Sequence, residues 1–174
     1  TSDFATVTTA TLMALESVTI NKLSSDQVQA LTTAQISKLT TDQIRALANN
    51  VIQYIETEDF VKMTSAQIGA FTTAQIQQLT KDQLVLMTTD QAPGLTSGQI
   101  ASLSNTRLAK MEAADFAKLS TDAISGITTA QVAILTTAQI NGMSTDQVAA
   151  ITTADFKAFS PEQMAALTSD QVAN

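Results

Sequence analysis

The chain has 174 residues, of which 44% are hydrophobic and 14% are charged, and its net charge is −7. This hydrophobic content excludes a disordered tail, and the negative charge argues against a nucleic-acid or anionic-membrane partner. The chain contains no His, Cys or Trp. That composition removes Ser-His-Asp and Cys-His nucleophilic sites, together with zinc sites of the usual ligand types.

An eight-residue unit repeats without insertion or deletion from Val7 to Asn174, which gives 21 octads. The six residues from Thr1 to Thr6 are the tail of one more octad in the same phase. Position 1 is Val, Leu, Ile, Met or Phe in every octad, and position 6 is equally strict except for Ala92. Position 2 is Ser or Thr in 17 octads, and position 5 is Gln or Asp in 16. We expect residues 1–174 to form a single octapeptide-repeat array.

The order of residues within one octad predicts a short capped helix. Ser or Thr at position 2, followed three residues later by Gln, is the capping-box pattern. Positions 1 and 6 then supply the two apolar partners of a hydrophobic staple. Pro161 lies at position 3, the first helical residue, where proline is tolerated. Gly94, Gly126 and Gly142 lie at position 8, which suits a left-handed residue that ends a helix.

Two other architectures fit the octad less well. The Thr-Thr pairs favour a β-solenoid, but positions 1 and 6 would then point to opposite faces of a strand. In one continuous helix the apolar spacings of five and three average about 4, too far from 3.6 to keep a stripe. A lone octad buries two side chains, worth ~1.5–3 kcal/mol each, whereas ordering its residues costs roughly 12 kcal/mol. The sequence therefore predicts an all-α solenoid of stacked short helices, one per octad.

Along the chain, the first departure from consensus is Glu16, which replaces a capping Ser or Thr. The octads from Leu23 to Ala46 are the most regular. The next two lose the cap at Ala48 and Glu56, and their apolar residues follow a helical period. We predict a longer helix that fuses neighbouring octads here, from about Asp42 to Glu56.

A second irregular segment follows the consensus octads from Met63 to Ser102, in which the residues around Pro93 should end their helix early. Glu112 again replaces the cap, which predicts another fused helix from Asn105 to Ala117. Asp-Phe pairs recur at 3–4, 59–60, 115–116 and 155–156, and the first three are evenly spaced, seven octads apart. This spacing predicts a higher-order repeat that marks one or more complete turns of the solenoid.

The candidate chemistry is sparse. Acidic residues cluster at position 4, including Asp26, Asp42, Asp82 and Asp146, where the helix dipole favours them. The alternative is a weak Ca²⁺ ladder along one face, which would need six or more converging oxygens. The Thr and Gln residues that recur at the same octad positions could instead form a ligand-binding face. We expect the methionines to pack in the core. Tyr54, the only tyrosine, is read as a surface residue or as a contact residue. We assign no catalytic, cofactor-binding or metal residues and expect no cofactor.

The octads LTTAQISK, LTTDQIRA, ITTAQVAI and LTTAQING resemble the L-T/S-T-x-Q-I/V-x-x octapeptide repeats of very large bacterial secreted or cell-surface proteins, which are often called adhesins. The resemblance covers essentially the whole chain and implies a bacterial extracellular or cell-surface setting. It implies no functional residues.

The sequence predicts a non-enzymatic structural protein, a spacer or fibre element that self-associates end to end. The unbroken repeat phase, the missing catalytic residue types and the lack of an obvious polar cap at either end motivate this hypothesis. We expect each end to continue into more chain or to be covered by another molecule. An alternative is an adhesin module that presents a solenoid face to a protein or glycan, and an enzyme is a third possibility. No nucleic-acid partner and no membrane insertion are expected.

Overall fold

The computed structural model describes residues 4–173 as a succession of short helices, and these residues contain no β-strand. Each octad forms one helix. The α-helices are α1 (Thr9–Met13), α2 (Ser17–Ile20), α3 (Ser25–Gln29), α4 (Thr33–Ile36), α5 (Thr41–Ala46), α6 (Thr57–Phe60), α7 (Ser65–Ala70), α8 (Thr73–Ile76), α9 (Lys81–Val85), α10 (Ser97–Ser102), α11 (Asn105–Leu108), α12 (Ala113–Phe116), α13 (Thr121–Ser125), α14 (Thr129–Val132), α15 (Thr137–Gly142), α16 (Thr145–Ala149), α17 (Thr153–Phe156), α18 (Pro161–Ala165) and α19 (Ser169–Val172). The 3₁₀ helices are Phe4–Thr6, Asn49–Tyr54 and Ala92–Gly94. The predicted all-α solenoid of short helices is confirmed. In this part of the chain, no helix has the length and apolar character needed to cross a membrane.

The capping box predicted from positions 2 and 5 starts most of these helices. At the start of α4, Thr32 is extended, its hydroxyl accepts the Gln35 N–H at 3.3 Å, and the Gln35 Oε1 accepts the Thr32 N–H at 2.7 Å. Complete boxes of this kind start α3, α4, α5, α7, α8, α9, α10, α14, α15, α16, α18 and α19. Pro161 is the first residue of α18, as predicted. The octad that holds Pro93 forms the 3₁₀ helix Ala92–Gly94 in place of an α-helix.

The side chains at positions 1 and 6 form one continuous apolar core. Ile36, Leu39 and Ile44 are between 0% and 3% exposed, and the same cluster of buried residues runs from Leu12 to Ile151. Because each octad contributes two such side chains and turns back after a short helix, the core is a column inside the solenoid. No single octad could bury these side chains alone.

Successive turns of the solenoid stack with three to four octads in each turn. The closely packed helix pairs, such as α5 with α7 and α12 with α15, belong to octads three apart. Side-chain hydrogen bonds between turns join residues that are 25 to 31 positions apart, as in Asn21 to Ala46 and Gln75 to Ile44. Asp59 and Asp115 are seven octads apart, which places them two turns apart in this stacking. Asp3, in the first Asp-Phe pair, lies outside the described residues.

The two predicted fused helices, from about Asp42 to Glu56 and from Asn105 to Ala117, are wrong. α5 ends at Ala46, because the next residue, Leu47, has a φ of −54° and a ψ of 136°, outside the helical region, and a 3₁₀ helix follows. Glu112 likewise has a φ of −61° and a ψ of 145°, and it separates α11 from α12. The chain bends without a capping side chain because position 1 must still point into the core: Leu47 is buried. Burial of position 1, and not the cap alone, sets the helix length.

Two of the three position-8 glycines, Gly94 and Gly126, allow close packing between turns, and none of the three forms the predicted left-handed helix end. No residue between 4 and 173, glycine or otherwise, has a positive φ. A Cβ added to Gly94 would lie 2.0 Å from the Ser65 carbonyl oxygen, and one added to Gly126 would lie 2.4 Å from that of Ser97. Ser65 and Ser97 each occupy position 3 of an octad in the preceding turn, so the two contacts have the same register. Glycine is needed here because backbone meets backbone.

Candidate functional site

The described residues bring together no group of three or more His, Cys, Asp or Glu side chains that could hold a metal ion. The position-4 carboxylates of Asp26, Asp42, Asp82 and Asp146 are exposed, each in the first turn of its own helix. Their placement fits the helix dipole, which stabilises acids at helix starts. The arrangement does not converge them into the Ca²⁺ ladder considered as an alternative.

The most specific polar arrangement is made by the glutamines at position 5, which link each turn to the one before it. Gln75 shows the geometry: its Oε1 accepts the Thr72 N–H at 2.7 Å, which completes the capping box. Its Nε2 donates to the carbonyl oxygens of Ile44 at 3.0 Å and Leu47 at 2.7 Å, 31 and 28 residues earlier. These carbonyls belong to the end of α5, where helical carbonyls lack partners within the helix. One buried amide thus starts its own helix and caps the end of another.

We call this set of hydrogen bonds the glutamine ladder. Every member donates from its Nε2 to one carbonyl at each of these two intervals in the preceding turn, and every member is at most 6% exposed. The members are Gln35, Gln43, Gln67, Gln75, Gln83, Gln91, Gln99, Gln131, Gln139, Gln147, Gln163 and Gln171. Because the same groups repeat at the same register, the octads that carry this glutamine all contact the preceding turn in the same way.

Sequence reasoning missed this second role of glutamine, since a capping box explains the same residue. A signal was nevertheless present. Glu serves a capping box as well as Gln does, yet position 5 contains no Glu in any of the 21 octads. A carboxylate could accept the N-cap N–H but could not donate to the preceding turn. The exclusion of Glu therefore indicates a donor requirement that the cap alone does not explain.

The ladder is interrupted where Asp takes the glutamine position, at Asp59, Asp115 and Asp155. An ionised carboxylate cannot donate to the carbonyls of the preceding turn. Asp59 instead accepts a hydrogen bond from the Thr33 hydroxyl, in the preceding turn, at 2.6 Å. Burial nevertheless raises the pKa of Asp59, and the Thr33 bond opposes that rise.

Asp155 and Asp115 both replace the ladder glutamine, but their hydrogen bonds differ and their pKa values shift in opposite directions. Asp155 accepts hydrogen bonds from the hydroxyls of Thr129 and Thr152, each at 2.5 Å, and these bonds lower its pKa. Asp115 is 4% exposed and, within the described chain, accepts no side-chain hydrogen bond. Burial, together with the nearby Glu112 carboxylate, raises the pKa of Asp115 to about 6. The Asp115 octad thus lacks both the amide donor of the ladder and the hydroxyl partners that Asp59 and Asp155 have.

After the first ladder member, Gln35, three further octads replace the ladder glutamine by Val51, Arg107 and Ala123. Arg107 keeps a donor: its guanidinium donates to the Gln77 carbonyl in the preceding turn. Val51 and Ala123 are buried and carry no donor. These irregular octads of the sequence are therefore the places where the glutamine contacts between turns are replaced or absent.

The last described turn leaves part of the apolar column uncovered. Met164 and Val172 occupy position 6, which is buried in the inner turns, yet they are 42% and 67% exposed. Phe156 and Phe159 contact each other, with ring centroids 4.8 Å apart, and both are half-buried. Phe156, Met164 and Val172 line a cavity of about 270 Å³, together with Leu167. The exposed turn is therefore a largely apolar surface.

A sequence model of the ALTTAQ repeat matches residues 52–89, 108–145, 135–161 and 148–174, which together make up more than half of the chain. The chain belongs to the ALTTAQ repeat family. Residues 30–35 spell these six letters and contain both the capping Thr32 and the ladder Gln35. The repeat part of the sequence resemblance is therefore established. No protein of known function matches the chain.

Proposed function

We propose that this ALTTAQ-repeat chain is a non-enzymatic structural element, a spacer or fibre segment outside the cell, that self-associates end to end. The observation that carries the proposal is the uniform contact between turns. The glutamine ladder and the buried column repeat the same groups at the same register, so a turn of one copy can replace a turn of another. A head-to-tail contact of this kind does not close on itself and extends into a filament.

The last described turn supports this proposal with a specific surface. In inner turns the carbonyls at positions 6 and 1 accept a ladder glutamine from a later turn, and position-6 side chains are buried. In the last turn Met164 and Val172 are exposed. At the opposite end, Gln27 carries the same amide side chain as the ladder members, and Leu15 is half-buried. The two ends are complementary in chemistry, donor to acceptor and apolar to apolar.

The test is negative-stain electron microscopy of the purified chain at micromolar concentration, without crosslinker. We expect filaments whose width equals that of a single solenoid. The double variant Met164→Asp and Val172→Asp places charges on the proposed contact and should leave single short rods. Leu86→Asp is the matched control, because Leu86 is 50% exposed in mid-solenoid; it should still form filaments. Short rods from the unmodified chain would overturn end-to-end association.

The extracellular setting is supported by the octad resemblance alone. Its test is surface labelling of intact cells of the source organism with an antibody against this chain. Labelling without permeabilisation is the expected result. Labelling that requires permeabilisation would contradict the setting and leave the end-to-end proposal standing.

A second candidate function, glycan binding, is favoured by the cleft around Tyr54. This cleft of about 220 Å³ is lined by Tyr54, which is 42% exposed, and by amide, hydroxyl and carboxylate side chains that include Gln29, Glu56 and Asp82. An exposed ring flanked by hydrogen-bonding groups suits a sugar, which has an apolar face and polar edges. Saturation-transfer NMR with soluble oligosaccharides should show binding that Tyr54→Ala abolishes. Equal transfer to both proteins would reject this candidate.

A further inference from the structure

A basic cleft lies between the octads that begin at Leu79 and Leu103, three octads apart. It has a volume of about 200 Å³ and is lined by Lys81, Leu84, Thr106, Arg107 and Lys110. Three of these five residues are cations and none is acidic, in a chain that carries 16 acidic and 9 basic residues. The cleft therefore collects a third of the basic side chains of an acidic protein.

The stacking register brings two of these cations together. Position 8 of one octad meets position 3 of an octad in the preceding turn, as Gly94 meets Ser65 and Gly126 meets Ser97. Lys110 occupies position 8, and Lys81 occupies the position 3 that corresponds to it in this register. The other position-8 lysines that have such a partner each correspond to a threonine: Lys38, Lys62 and Lys118. Only at this cleft does the register set a lysine against another cation.

Arg107 joins them from the glutamine position. It is half-buried, and its guanidinium is oriented by donation to the Gln77 carbonyl. The one salt bridge within residues 4–173 joins Arg45 to Asp42, so none of the three cations of the cleft is paired with a carboxylate. Like charges placed together repel, and the buried Leu84 in the wall reduces the water that could screen them. An anion in the cleft would remove this repulsion.

We propose that the cleft formed by Lys81, Arg107 and Lys110 binds a dianionic phosphate group, either the free ion or a phosphate monoester. A phosphate group carries −1.5 to −2 charges and three acceptor oxygens at about neutral pH. The planar guanidinium suits recognition of a phosphate through two parallel hydrogen bonds, and each ammonium adds a point charge. The volume of the cleft is several times the ~30 Å³ of a water molecule, which leaves room for a compact oxyanion.

The octad pattern provides variants that remove the charges and keep the fold. Lys81→Thr and Lys110→Ala restore residues common at positions 3 and 8, and Arg107→Gln restores the ladder glutamine in register with the Ile76 and Leu79 carbonyls. The triple variant should therefore fold at least as well as the unmodified chain. Lys38→Ala is the matched control, because it removes a position-8 lysine that lies against Thr9 in this register.

The experiment is an NMR titration of the ¹⁵N-labelled full chain with inorganic phosphate and with methyl phosphate, against sodium chloride at matched ionic strength. We expect saturable shifts of backbone signals from octads 79–86 and 103–110, unchanged in the Lys38→Ala control. Since each charge-assisted contact is worth about tenfold in affinity or more, the triple variant should bind at least ~100-fold more weakly. Shifts with inorganic phosphate alone identify a free-ion site, and shifts with both identify a site that also accepts esters.

Equal shifts in the triple variant and the unmodified chain would overturn the proposal, as would shifts that sodium chloride reproduces. Loss of binding in the Lys38→Ala control would also overturn it, because the effect would then follow net charge and not the cleft. All titrated chains also carry Met164→Asp and Val172→Asp, which should keep them as single short rods, so the outcome does not depend on filament formation. These two changes lie in the exposed apolar turn at residues 156–172, away from the cleft in mid-solenoid.

Discussion

Gln75 and Asp115 occupy the same octad position in two parts of the solenoid, but they differ in their hydrogen bonds to the preceding turn. The Gln75 side chain accepts one N–H of its own helix and donates to three carbonyls of the turn before, those of Ile44, Arg45 and Leu47. Asp115 reaches neither of the corresponding carbonyls with a donor, and its pKa is raised to about 6 by burial and by Glu112. The comparison shows that an amide at position 5 joins two turns through hydrogen bonds that a carboxylate cannot donate.

Gln75→Leu should have the largest effect. Leucine keeps the volume of the side chain but removes the partners of the Thr72 N–H and of the Ile44 and Leu47 carbonyls, all in a buried setting. Leaving buried polar groups unpaired costs about 1–3 kcal/mol each, so we expect a loss of roughly 3 kcal/mol or more in the free energy of unfolding. Urea denaturation followed by circular dichroism measures it. Gln78→Ala, on the exposed surface just after the end of the same helix, should change stability by less than about 0.5 kcal/mol.

Asp115→Gln should give this octad the hydrogen bonds of a ladder glutamine and stabilise the chain. The new amide would lie in register with the Leu84 and Met87 carbonyls, as Gln75 does with those of Ile44 and Leu47, and the repulsion from Glu112 would vanish. Two added hydrogen bonds at about 1 kcal/mol each suggest a gain of about 2 kcal/mol at neutral pH. The same denaturation experiment measures it. A loss of stability in this variant would mean that the ladder register does not extend through this octad.

The pH dependence of stability sharpens the same contrast. The pKa of Asp115 is raised in the folded chain, to about 6 from 3.8, so its protonated form is favoured by folding. Its contribution is fully present below pH 3.8 and is lost as pH rises through about 6. The difference in unfolding free energy between the unmodified chain and Asp115→Asn should follow this window. A difference that stays constant between these pH values would contradict the assignment.

Thr129→Val should have the smallest effect. It removes the hydroxyl donor to Asp155 at 2.5 Å and leaves the Thr152 donor in place. We expect a loss of about 1 kcal/mol, since a hydrogen bond to a charged and partly exposed group is removed. Thr89→Val is the matched control: Thr89 precedes Asp115 by the same interval as Thr129 precedes Asp155, yet it forms no bond with Asp115 in the described chain. Equal losses in both variants would show that these threonines act locally and not between turns.

Much of the architecture could be predicted from the octad. Positions 2 and 5 encode the helix start seen at Thr32 and Gln35, and positions 1 and 6 encode the buried column. The prediction of fused helices failed because the apolar period around Leu47 also arises when short helices each turn one side chain inward. The number of octads per turn could not be derived, because local spacing contains no information about which octads meet. Without that register, neither the Gln75 donor contacts nor the close approach at Gly94 could be foreseen.

The candidate functional surfaces could not be predicted from the sequence either, because they also depend on which octads contact each other. Lys81 and Lys110 are distant in sequence, and only the stacking interval brings them to one cleft. The Asp-Phe spacing of seven octads was visible in the sequence, but its relation to two turns of the solenoid required the hydrogen bonds between turns. The sequence predicts Tyr54 to be a surface residue or a contact residue, and in the structure it is exposed beside a polar cleft.

The most direct test of the glutamine ladder is hydrogen exchange of glutamine side-chain NH₂ groups, measured by NMR and assigned with single Gln→Glu variants. Ladder members such as Gln75 and Gln99 donate to buried carbonyls of the preceding turn, so their NH₂ signals should exchange far more slowly than that of the exposed Gln78. Slow exchange confined to the ladder positions is the predicted result. Uniformly fast exchange across all glutamines would contradict it and would mean that apolar packing alone holds the turns together.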